Sequence, residues 1–144
     1  MTLGHDGWRH ARRGPLEGVI EGEVALPGSP AYEASRRPFN AQFHEVAPEA
    51  FVSCATPQDV SEAISFARRH GLEVAMRSGG YSFAGHSSTH GVVIDVTPMR
   101  AISVSGGVAT VGAGARLGEV YDALQDHGLA IPGGTLPHRW GWQA

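Results

Sequence analysis

The stretch AFVSCATPQDVSEAISFARRHGLEVAM (50–76) constrains the fold more than any other part of the sequence. It opens on one short apolar run, suited to a strand, and closes on another, LEVAM. Between them Thr56 is placed to cap a helix, Pro57 suits its first turn, and Asp59 favours its positive end. Val60, Ala63, Ile64 and Ala67 recur at helical spacing and predict one apolar face. Arg68, Arg69 and His70 suit the last turn, and Gly71 closes it. Strand, helix and strand in such quick succession predict parallel strands with a right-handed crossover.

The rest of the chain is read against this unit. GVVIDV (91–96) predicts a third buried strand. AISVSGGVATVGAG (101–114) alternates twice around Ser105-Gly106-Gly107, a hairpin pattern with a tight turn. ARLGEVYDALQDHG (115–128) predicts a helix with Leu117, Val120, Tyr121 and Leu124 as its apolar stripe and Gly128 as its end. Upstream, residues 16–40 open on a helix or an extended piece. They turn at LPGSP and form a short helix over AYEASRR. Residues 1–15 are expected to be loosely attached.

Composition narrows the function. A chain of 144 residues, 42% apolar and 17% charged, is long enough for one core. A formal charge of -3 is too mild to argue for nucleic acid or an anionic membrane. The single cysteine, Cys54, excludes an internal disulfide and lies in an apolar run, where a buried, inert thiol is expected. The start, MTLGHDGWRHARRGP, has charges without an apolar region behind them, and no apolar run approaches membrane-spanning length. The expectation is a cytoplasmic protein.

Three stretches carry candidate chemistry. RSGGYSFAGHSS (77–88) joins the second and third predicted strands with an arginine, three glycines, five hydroxyl side chains and a histidine. Its bare amides suit phosphate oxygens, and Arg77 could add charge-assisted bonds. A polar connection that binds nothing has the same composition. GAGARLG (112–118) stands between a strand and a helix, as a dinucleotide fingerprint would. Its spacing is one residue off, its strand belongs to a hairpin, and no acidic residue follows at the required distance. A tight strand-to-helix turn is the better account. His86 and His90 lack the cysteine or carboxylate neighbours of a zinc shell, so no metal site is expected.

Taken together, RSGGYSFAGHSSTHGVVIDVTPM resembles the flavin-cradling segment of FAD-linked oxidases. These are the berberine-bridge-enzyme and 6-hydroxynicotine-oxidase relatives of the vanillyl-alcohol-oxidase/p-cresol-methylhydroxylase (PCMH) superfamily. PAYEASRRPFN, TPQDVSEAISFARRHGLEVAMRSGG, VATVGAGARLGEVYDAL and GLAIPGGT resemble other segments of that family, in its order, across residues 27–135.

The resemblance implies an α+β fold, a PCMH-type FAD-binding domain of two α+β subdomains, the second incomplete. An N-terminal segment (1–26) precedes it and an atypical tail (136–144) follows. It implies FAD as cofactor. Arg77 and the backbone of Ser78, Gly79, Gly80, Tyr81 and Ser82 would hold the diphosphate. Gly85 and His86 would lie beside the cofactor, and Gly112, Gly114, Gly133, Gly134 and Thr135 would approach it from the second subdomain. Many relatives carry a flavin-linked histidine where this chain has Tyr81, and some a cysteine where it has Leu136, so noncovalent FAD is expected. The tail LPHRWGWQA departs from the family pattern, and a frameshift or premature stop is the reading that resequencing the gene would test.

The implied function is hydride transfer from a substrate C–H to flavin and then to oxygen. The alternative is a noncatalytic FAD-binding fragment that needs a partner chain. No catalytic residue is named, since the family's base and substrate pocket lie beyond the resemblance. Self-association through exposed core surface is expected of a partial domain.

Overall fold

The structure is a computed structural model and describes residue 16 and residues 18–133. Two β-layers organise it. The larger sheet holds β1 (Glu23–Ala25), β2 (Ala50–Ser53), β3 (Val74–Arg77) and β4 (Val92–Asp95) in the order β1-β2-β4-β3. β2 and β3 each run parallel to β4, with Ala50 and Val74 both opposite Val92, and β1 runs antiparallel to β2. The predicted parallel pair is therefore present, with β4 inserted between its members. Val92, Val93 and Ile94 are fully buried, as a central strand covered on both faces requires.

Helices α1 (Pro30–Ser35) and α2 (Pro57–His70) cover the two faces. Ala63, Phe66 and Ala67 of α2 pack with Ala50, Val52, Cys54, Val92 and Ile94. Tyr32 of α1 packs on the other face with Ala25, Phe51, Ala75 and Val93. Ser29 caps α1, accepting from the Tyr32 N–H.

The ends of α2 are as expected. Thr56 Oγ accepts the Asp59 N–H while the Asp59 carboxylate accepts the Thr56 N–H, and Gly71 closes the helix at φ 63°. The buried face differs from the predicted one. Ile64 is 37% exposed and Phe66 is buried in its place. The Phe66 ring joins the cluster between α2 and the sheet and meets His70 in an edge-on arrangement with ring centroids 4.5 Å apart.

Asp59 does more than cap. Its carboxylate also accepts the N–H groups of Glu21, Gly22 and Ala55, so it stitches the entry to β1 onto the start of α2. Burial alone would raise its pKa. The hydrogen bonds from Glu21, Ala55 and Thr56 outweigh that and hold it below the ordinary carboxylate value.

Cys54 is fully buried. Burial first, then the charges of Asp59 and Asp95, push its thiol up to about 12. A thiol reagent at mildly alkaline pH is expected to leave the folded chain unlabelled and to modify it rapidly in concentrated urea. Rapid labelling without urea would show that the core opens around Cys54.

The second layer is the hairpin of β5 (Ile102–Ser105) and β6 (Val108–Val111) with α3 (Leu117–Gln125) against it. Gly106 and Gly107 turn it at φ 58° and 76°, the two positive values that a type I′ turn needs. Ile102, Val104, Ala109 and Val111 pack on Val120 and Leu124 of α3. Leu117 is buried as predicted, and Tyr121 is half-buried. Among the described residues no helix is long and apolar enough to cross a membrane.

Candidate functional site

The candidate site lies where the two layers meet, beyond the C-terminal ends of β3 and β4. There the chain leaves β3 as the loop 78–91 and leaves β4 toward the hairpin.

Arg77 comes first, and its position differs from the expectation that it would reach an anion. It is buried in the edge strand β3 and spends its donors on the protein. Nε donates to Ser87 O at 2.9 Å. One terminal nitrogen donates to Ser35 O, and the other to Ser88 Oγ at 3.0 Å and Arg36 O at 3.4 Å. The guanidinium carbon lies 5.0 Å from the centre of the Phe51 ring. A cation thus meets the carbonyls at the C-terminal end of α1 and folds both ends of the loop onto them. Burial lowers its pKa, and the nearby Asp95 charge works against that shift. Arginine remains charged at ordinary pH.

The loop itself is built from backbone. Gly79 and Gly80 both sit at φ 75°, a value that side-chain-bearing residues rarely adopt. The Gly79 N–H, one of the amides expected to face the diphosphate, donates to Thr97 Oγ at 3.3 Å. The Gly80 and Ser82 N–H groups have no acceptor among the described residues. Gly80 is buried, and an orphaned buried amide costs about 1–3 kcal/mol unless water or a ligand takes it up.

The remaining loop residues brace it. Ser82 Oγ accepts the His86 N–H, which leaves the His86 side chain exposed. Gly85, at φ 80°, lies under the Phe43 ring, where a Cβ would have no room. Phe39 donates its N–H to Gly80 O and pairs its ring with Tyr81 at 5.0 Å.

Ser78 ties the two layers together by donating from Oγ to Ala113 O at 2.7 Å. The flanking glycines explain how the layers come so close. A Cβ on Gly112 would strike Met99 O, and one on Gly114 would strike Val96 O and Thr97 O. These glycines let the β6–α3 turn press onto the backbone that follows β4. Gly133 lies farther along, against Tyr121 and Leu117 of α3. Gly134, Thr135 and Leu136 lie outside the described residues.

The structure therefore brings residues 77–79 together with Val96, Thr97 and the Gly112–Gly114 turn, and sets Gly85 against Phe43 instead. Sequence reading missed Thr97, Asp95, Phe39 and Phe43. The Asp95-x-Thr97 spacing at a strand end was the available signal, since such a pair commonly forms a local turn.

The Gly80 and Ser82 amides, without acceptors among the described residues and set among glycines at positive φ, have the chemistry that suits an anion such as a phosphate. The FAD binding domain family matches residues 48–138, more than half of the chain. The chain belongs to this family. It is 33% identical over 120 residues to the uncharacterized FAD-linked oxidoreductase YgaK of Bacillus subtilis, across 81% of this chain and 26% of that protein. It is 29% identical over 121 residues to (R)-6-hydroxynicotine oxidase of Paenarthrobacter nicotinovorans, across 82% of this chain and 26% of that one. The crystal structure of 6-hydroxy-D-nicotine oxidase from Arthrobacter nicotinovorans superposes with a TM-score of 0.80 at 29% identity, over 88% of this chain and 28% of that one. Carbohydrate oxidase from Microdochium nivale gives 0.73 at 30% identity, over 87% and 28%. The chain spans about a quarter of the length of these relatives. As a member of the FAD binding domain family it takes FAD, and the α+β fold is the one these oxidases share.

Proposed function

We propose that this chain supplies the FAD-holding part of an oxidoreductase, with the FAD diphosphate seated on the loop 78–82. The unclaimed amides of Gly80 and Ser82 carry the reading. In this arrangement Gly80, Tyr81 and Ser82 present the backbone. Arg77, Ser78 and Gly79 hold the loop in shape through their own protein partners. Bound FAD would supply the capacity to take a hydride from a substrate C–H. Residues 27–135 form the FAD-holding unit in this reading, and 136–144 an atypical tail. Gly112, Gly114 and Gly133 belong to its second wall.

The cofactor is held without a covalent bond. Tyr81 stands where a flavin-linked histidine is expected in many relatives, and a phenol cannot form that histidyl link. Its ring, paired with Phe39, offers an apolar contact instead. A cytoplasmic setting belongs to the same reading, and the unpaired Cys54 agrees with a reducing compartment.

A second reading is a noncatalytic FAD-binding module completed by a partner chain or by self-association. Val74 and Met76 favour it. They lie on the α2 face of the edge strand β3, with 39% and 46% of their surface exposed.

One experiment tests the cofactor reading. The purified chain is expected to be yellow, or to turn yellow with added FAD, and to release its flavin to the supernatant on acid precipitation. Colour retained in the pellet would overturn noncovalent binding. A protein that stays colourless with FAD would overturn the cradle.

A further inference from the structure

Of the two adjacent glycine amides that open the loop, that of Gly79 is claimed by a side chain and that of Gly80 is not, among the described residues. We propose that Thr97 is a positioning residue for the FAD loop, with Asp95 as its anchor. The inference rests on the diphosphate reading above.

The chemistry is directional. Thr97 Oγ donates its only proton to Asp95 Oδ1 at 2.6 Å, and the Thr97 N–H donates to the same oxygen at 3.1 Å. With its hydrogen so committed, the hydroxyl turns a lone pair to the Gly79 N–H at 3.3 Å. Asp95 ends β4, the strand held on both sides by β2 and β3. The chain of contacts therefore runs from the most firmly paired strand to the second residue of the loop.

Two further contacts show what this fixes. The Val96 N–H donates to Arg77 O at 2.8 Å, and Ser78 Oγ holds Ala113 O. Residues 77, 78 and 79 are thus each fastened, while the next amide, that of Gly80, is left without an acceptor. Glycine at φ 75° on both sides of the Gly79–Gly80 peptide would otherwise leave that plane free to rotate. Thr97 fixes the Ser78–Gly79 peptide on one side of that plane, and the Phe39 N–H, donating to Gly80 O, fixes the Gly80–Tyr81 peptide on the other, so that less ordering is left for binding to accomplish. The neighbouring Gly114 is required for the same reason, since a Cβ there would displace the Thr97 backbone.

The test compares Thr97→Val, which keeps the shape and removes the hydroxyl, with Thr97→Ser, which keeps the hydroxyl. Two readouts are taken on the full chain: hydrogen exchange of the Gly79 amide without FAD, and FAD affinity from flavin fluorescence. Thr97→Val is expected to speed Gly79 exchange and weaken FAD binding, each about three- to tenfold, the range a single neutral hydrogen bond supports. Thr97→Ser should restore both. A residue that only stabilised the fold would lower the melting midpoint and leave the ratio of FAD affinities near one.

Unchanged Gly79 exchange in Thr97→Val, or wild-type FAD affinity in it, overturns the proposal. So does a serine variant as impaired as the valine one. If the wild-type chain itself fails to bind FAD, the diphosphate reading falls, and the Gly79 exchange alone decides whether Thr97 fixes the loop.

Discussion

Replacing Asp59 by alanine is expected to cost the chain about 3–5 kcal/mol of stability, because four backbone N–H groups lose one shared acceptor. The donors come from two places, Glu21 and Gly22 before β1 and Ala55 and Thr56 before α2, so the loss strikes both sides of the sheet edge. Urea titration of wild type and variant would measure it, and a loss under 1 kcal/mol would refute the role given to the carboxylate. The pH dependence has a fixed sign. The folded-state pKa of Asp59 is depressed, burial opposing the shift and hydrogen bonding prevailing. Its contribution is therefore present above the unfolded value of about 3.9 and disappears as pH falls through the lower, folded value. Asp59→Asn keeps one acceptor oxygen but cannot ionise. It should be less stable at neutral pH and lose part of the wild-type acid sensitivity.

Arg77→Ala is expected to lose about 3–5 kcal/mol as well, by a different route. The carbonyls of Ser35 and Ser87 would stay buried without their donor, and the Phe51 ring would lose its cation. Arg77→Lys separates charge from geometry. An ammonium retains the charge but cannot reach α1 and both sides of the loop with one planar fork, so most of the loss should remain. Because the guanidinium is turned toward carbonyls, FAD affinity should fall through loosening of the loop. Faster amide exchange across 78–88 would accompany it. A lysine variant matching wild type in stability and exchange would show that charge alone suffices.

The local elements were legible because their signals are local. Thr56, Pro57, Asp59 and Gly71 mark the ends of α2 by chemistry within a few residues, and Gly106-Gly107 marks the hairpin in the same way. What escaped is what depends on contacts between distant residues. Periodicity assigns strands but not their neighbours, so the insertion of β4 between β2 and β3 could not be read. The buried face of α2 shifted to Phe66 because the sheet, rather than the helix, decides which side is covered. β1 is only three residues long and carries too few side chains to alternate visibly. At the site, glycine and serine density exposed the loop. The partners of Arg77 and the use of Thr97 arise from residues 10 to 42 positions away. An arginine beside glycines reads as an anion ligand until its carbonyl partners are seen.

The strand order also sets a timetable. β2 and β3 lie close in sequence but share no ladder, and each waits for β4. A nascent chain that has reached Arg77 has made both strands and can zip neither to the other. At roughly 5–20 residues per second, synthesis from Arg77 to Asp95 takes on the order of a second or more. Through that interval α2 is local cover for the two strands, β3 has no backbone partner, and β2 has only the three-residue β1. The arrival of Val92, Val93 and Ile94 then forms both ladders in one step and closes the glycine loop with them. Slow codons placed between residues 77 and 92 would lengthen the exposed interval, whereas the same codons after residue 96 would fall on a chain whose larger sheet is already complete.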